Sequence, residues 1–100
     1  RGINVFPSQI EHVLKNIPEV GDQFMVYIDR VNHLDEMMIE VEMNKNIFSG
    51  ELQDLSKLQT KIMRALQETL TLRAKVDLVE PGSLPRFEGK AKRVVDRRVI

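Results

Sequence analysis

The chain has 100 residues, no cysteine, and equal numbers of basic and acidic side chains, 15 of each. Neutrality removes any global pull toward nucleic acid or an anionic membrane. The lack of cysteine excludes a disulfide framework, thiolate metal sites and thiol nucleophiles, and a reducing cytoplasmic setting is the expectation. A chain of this length supports one small core but not a cleft enclosing two large substrates, and no apolar run approaches the roughly 20 residues a membrane span needs.

From the start, Arg1-Gly2-Ile3-Asn4-Val5-Phe6-Pro7 is a short apolar extended lead that runs into a helix, with Ser8 as N-cap and Glu11 three residues later closing a capping box. Ile10, Val13, Leu14 and Ile17 form the apolar stripe of that helix, which Pro18 and Gly21 end. Phe24, Val26 and Ile28 alternate with Met25, Tyr27 and Asp29, and Met37, Ile39, Val41 and Met43 alternate with Met38, Glu40 and Glu42. These are period-2 strands with one drier face, and the short polar stretch Arg30 to Asp35 makes them a hairpin.

Ser49 caps a second, longer helix with Glu51 and Asp54 near its positive end. Its stripe runs through Leu55, Leu58, Ile62, Ala65, Leu66 and Thr69 or Leu70. A last strand sets Ala74, Val76 and Leu78 against Lys75 and Asp77 and reaches Pro81-Gly82. The expected fold is α+β in the order helix, strand, strand, helix, strand, with both helices on one face of a small three-stranded sheet. The expected division is a lead-in at 1–7, a core at 8–80 and a lysine-bearing functional tail at 81–100.

The tail holds the chemistry. Pro81-Gly82-Ser83-Leu84-Pro85-Arg86-Phe87-Glu88-Gly89-Lys90 delivers one lysine, preceded by glycine, into a basic stretch that continues through Lys92, Arg93, Arg97 and Arg98. Lysine is a compact charge on a flexible stem, suited to a phosphate or to a carboxylate gaining charge, and the glycine lets the backbone come close. By itself, the run reads more simply as a solvated terminus.

Taken together, R-G-x-x-V-x-P-x-x-I-E at the start and L-P-R-x-E-G-K-A-x-R at the end resemble the C-terminal domain of the adenylate-forming acyl- and aryl-CoA synthetases, and within them most resemble the phenylacetate-CoA ligases. The family commonly has Ser or Thr before Glu-Gly-Lys, where this chain has Phe87. The resemblance implies a fragment of a larger ligase that uses ATP, Mg2+ and coenzyme A, binds none of them tightly as a fragment, and partners an N-terminal adenylation domain of the same chain. That domain would carry the ATP phosphate loop, the aryl pocket and the hinge. Lys90 is the implied catalytic residue, Gly89 and Arg93 its support, and Arg1, Gly2, Ile3 and Asn4 the loop presented to the coenzyme A channel when the domain rotates between half-reactions. Aryl acid and coenzyme A are the implied substrates, with neither nucleic acid nor membrane as a partner.

Other candidates reduce to structural roles. His12 and His33 lack the converging ligands a zinc site requires, so no metal site is expected. Glu40 and Glu42 share the outward face of one strand and read as solvated charges, and Met37, Met38 and Met43 read as core filler. No Gly-x-Ser-x-Gly elbow or phosphate-cradling P-loop occurs. The alternative function is a non-catalytic small ligand- or nucleic-acid-binding α+β module, against which stand the paired terminal motifs and the presence of only five aromatic residues.

Overall fold

Proline at the first position of a helix gives up an N–H that would have no partner there in any case. Pro7 accordingly opens α1 (Pro7–Lys15) in the computed structural model, which describes residues 7–44, 52–71, 73–84 and 93–98. Ser8 therefore lies inside the helix rather than capping it. The helix ends in tight three-residue bonds, Asn16 N–H to Val13 O at 3.2 Å and Ile17 N–H to Leu14 O at 3.0 Å, ahead of Pro18. Gly21 belongs to the next strand, where an added Cβ would meet Met43 O at 3.1 Å and Glu42 O at 3.2 Å.

β1 (Val20–Val31) and β2 (Leu34–Met43) form an antiparallel hairpin with a register irregularity between Val20 and Phe24. The turn is tighter than expected: Asn32 and His33 alone make it, with φ of 52° and 69°. Positive φ at both central residues matches the right-handed twist of the flanking strands, and asparagine tolerates it well. Beside the turn, Arg30 and Asp35 pair across the strands at 3.0 Å.

α2 (Leu52–Leu70) is followed by Thr71 at φ 57°, whose N–H still bonds Gln67 O at 3.0 Å. The expected cap at Ser49 and the acidic Glu51 lie outside the described residues. β3 (Lys75–Val79) pairs parallel to β2. Ile10, Val26, Ile39, Val41, Ile62 and Leu66 are fully buried between both helices and one sheet face, and the expected helical and strand stripes supply this core. Each such side chain contributes about 1.5–3 kcal/mol of transfer free energy.

The expected count of three strands is corrected by β4 (Val94–Asp96), which pairs parallel to the free edge of β1 and gives the order β3-β2-β1-β4. Its three residues are too few to carry a period-2 signal, and they sit within a run whose charge dominates the sequence pattern. Val94 faces the core beside Val26, and Arg97 N–H extends the ladder to Ile28 O at 2.7 Å. The described parts of 81–100 are thus packed on the domain.

Candidate functional site

Two anchors flank the segment that carries the lysine motif. The first is Glu42, near the end of β2. Strand alternation puts it with Met25 on the face away from the helices, yet it is only 3% exposed, which corrects the expectation of a solvated charge. A buried carboxylate needs donors. After β3, Pro81 and Gly82 reverse the chain, with Gly82 at φ 86°, and the turn's N–H groups meet the Glu42 side chain. Gly82 N–H donates to Oε1 at 3.1 Å and Leu84 N–H to Oε2 at 2.8 Å, while Leu84 itself is buried. Ser83 N–H and Oγ both donate to Glu80 O. Two alternate N–H groups of the turn thus converge on one carboxylate, charge-assisted bonds in which the anion is the protein's own.

The second anchor is Arg93. It is 9% exposed, and its guanidinium carbon stands 4.7 Å above the centroid of the Phe24 ring. It borders a recess of about 460 Å³ that α1 and the start of β1 also line, Glu11, Gln23 and Asn44 among them. Its Nε and Nη1 have no hydrogen-bond partner among the described residues.

Beyond Arg93 the basic residues find their anions within the chain. Arg97 grips Asp29 with Nε to Oδ1 at 2.8 Å and Nη2 to Oδ2 at 2.6 Å, and lies 4.5 Å over the Tyr27 ring. Tyr27 in turn donates to Glu40 Oε1 at 2.9 Å, and its phenol is pushed up by desolvation and by that carboxylate. Arg98 holds Asp96 through two bonds and reaches Asp35 Oδ2 at 2.8 Å. Its hydrogen bonds lower the Asp96 carboxyl to about 2, and Arg30 followed by Arg98 holds Asp35 below the ordinary carboxylate range. Arg97 and Arg98, two cations a nucleic-acid reading would use, are therefore paired with aspartates of β1, β2 and β4 and fasten the end of the chain to the hairpin.

Of the residues singled out from sequence, Arg93 falls among those described. Lys90, Gly89, Arg1, Gly2, Ile3 and Asn4 lie outside them. Glu42 was missed. The Pro-Gly turn signals that N–H groups will need an acceptor, but choosing Glu42 over Glu40 requires the β2–β3 register, which sets Glu42 opposite Val79. Among the described residues no cluster of three or more His, Asp or Glu side chains could hold a metal, so none is assigned to Mg2+, and no described helix is long and apolar enough to cross a membrane.

A small mixed sheet with two helices on one face defines a class, and comparison with known proteins identifies it. Residues 2–98 match the model of the AMP-binding enzyme C-terminal domain, and the chain belongs to that family. It is similar to the phenylacetate-coenzyme A ligase of Thermus thermophilus, 36% identical over 98% of this chain and 25% of that protein. The chain spans about a quarter of the length of the curated relatives it matches. Among solved structures, a domain of phenylacetate-coenzyme A ligase from Bacteroides vulgatus superposes with a TM-score of 0.85 at 33% identity, covering 99% of this chain and 90% of that one. 2-Hydroxyisobutyryl-CoA ligase with 2-HIB-AMP and CoA in the thioesterification state gives 0.84 at 32% identity, covering 93% and 19%. The same ligase in the postadenylation state gives 0.79 at 33%, covering 96% and 20%.

Proposed function

We propose that this chain is the mobile C-terminal domain of an aryl-CoA ligase, with phenylacetate as the acid, and that it serves both half-reactions of that enzyme. The reading is carried by the family match across nearly the whole chain. It is supported by the similarity to one ligase solved in states named postadenylation and thioesterification. In the first half-reaction a carboxylate oxygen attacks the α-phosphorus of ATP and the bond to pyrophosphate breaks. Charge spreading over the phosphoryl oxygens needs a positioned cation, and Lys90 supplies it, with Gly89 permitting close approach and Arg93 fixing the far end of the segment. In the second, the coenzyme A thiol attacks the acyl carbon, AMP leaves, and the loop of Arg1, Gly2, Ile3 and Asn4 borders the pantetheine path. ATP, the aryl acid and Mg2+ are held chiefly by the larger adenylation domain, so the 100-residue chain alone is inactive.

The test is made in the full-length ligase with phenylacetate. Lys90→Ala should slow pyrophosphate exchange by roughly two to three orders of magnitude, the range for loss of one preorganised electrostatic contact. Thioester formation from supplied phenylacetyl-adenylate should be nearly spared. Gly2→Leu should do the reverse. Equal slowing of both half-reactions by both variants would leave the domain a structural support and refute the reading.

A further inference from the structure

We infer that Glu42 is a positioning residue for adenylation: by gripping the turn at Gly82 and Leu84 it sets where the lysine-bearing segment leaves the domain. The inference rests on the reading of Lys90 given above. Its own basis is the geometry of the carboxylate. A charge that is 97% buried is costly to keep, and the face it occupies also buries Met25, so an apolar side chain would close that surface more cheaply. What an apolar side chain could not do is accept two backbone N–H groups at 3.1 and 2.8 Å from residues 40 and 42 positions further along the chain. The two N–H groups meet different oxygens of the carboxylate, so the turn is fixed in orientation as well as in place.

The support is a central strand of the sheet. β2 is an interior strand, paired to β1 on one side and β3 on the other, and Glu42 lies opposite Val79, the last residue of β3. The carboxylate thus holds the chain just after it leaves the sheet. From Leu84, residues 85–89 lead to Lys90, and Arg93 with β4 holds the chain again three residues beyond it. Holding the chain at Leu84 fixes the point from which it continues toward Lys90, and displacement of a catalytic group by about 1 Å can cost on the order of 100-fold in rate.

Glu42→Gln tests this in the full-length ligase, because it keeps the shape and replaces one acceptor oxygen with a donor that faces an N–H. Expected are faster amide exchange at Leu84, pyrophosphate exchange with phenylacetate slower by roughly 10- to 100-fold through kcat rather than the KM for ATP, and thioester formation from phenylacetyl-adenylate within about twofold of the parent, since that step does not use the lysine. Gly82→Ala is the second variant. With φ at 86° and, among the described residues beyond its chain neighbours, no atom within 4 Å of the new Cβ, it strains the turn's backbone, and it should show the same selective loss. If Leu84 loosens while adenylation is kept within about twofold, or if both half-reactions fall together, Glu42 only stabilises the fold and the inference is overturned; unchanged exchange at Leu84 overturns it too. Lys90→Ala run alongside separates the two claims. A Lys90→Ala enzyme with full adenylation refutes the lysine reading itself, whereas a disabled one beside an unimpaired Glu42→Gln enzyme refutes only the positioning role.

Discussion

Arg93 offers a test in which packing and charge predict opposite signs. Its stem and guanidinium plane cover Phe24 at 4.7 Å, an arrangement worth about 0.5–2 kcal/mol as a cation–π contact. Against that, Nε and Nη1 are buried without partners among the described residues, and a buried unpaired donor costs about 1–3 kcal/mol. Arg93→Met retains an unbranched apolar stem over the ring and removes both donors. The isolated chain, whose core is contained within it, should therefore be unchanged or up to about 2 kcal/mol more stable. Arg93→Ala removes the packing as well and should cost about 2–3 kcal/mol. Urea unfolding of the three proteins at 25 °C, with equal m-values as the check that the unfolded states match, measures both differences. Loss of more than about 2 kcal/mol in Arg93→Met would mean that Nε and Nη1 are satisfied within the chain, and the reasoning from two donors without partners among the described residues would be wrong.

Ile62→Ala, at a position with no exposure beneath α2, should destabilise the chain by about 2–5 kcal/mol, whereas Leu34→Ala, 69% exposed, should change stability by less than about 0.5 kcal/mol; thermal unfolding distinguishes them. Acid should loosen the β4 edge. Asp96 and Asp35 have folded-state values below their unfolded ones, so their contribution is present above the ordinary carboxylate range and is lost on acidification, that of Asp96 as pH falls toward about 2. Amide exchange at Val95 should rise through that window in the parent chain and should be raised already at neutral pH, with a flatter pH dependence, in Arg98→Gln. Identical profiles would show that the ion pairs do not hold the strand.

Features that depend on local periodicity were legible from sequence, and those that depend on register were not. Ile10, Val13, Leu14 and Ile17 can face only one way once they are helical, and all four are buried where the spacing puts them. Phe24, Val26 and Ile28 against Val41, Ile39 and Met37 follow equally from alternation, because the hairpin brings matching faces together. Glu42 shows the limit of this reasoning. Alternation puts it on the face away from the helices but does not say whether that face is exposed, and a turn 40 residues away returns to cover one member while leaving Glu40 to the Tyr27 hydroxyl. The same long-range closure decides the basic run. Counted along the chain, Arg97 and Arg98 are a local excess of charge in search of an external anion; placed beside β1 and β2, they meet Asp29 and Asp35, which precede them by more than 60 residues. The partners of a charged terminus are thus set by the strand it joins. Here β4 draws two arginines into the fold's own ion pairs, with Asp29 and Asp35 as the acceptors.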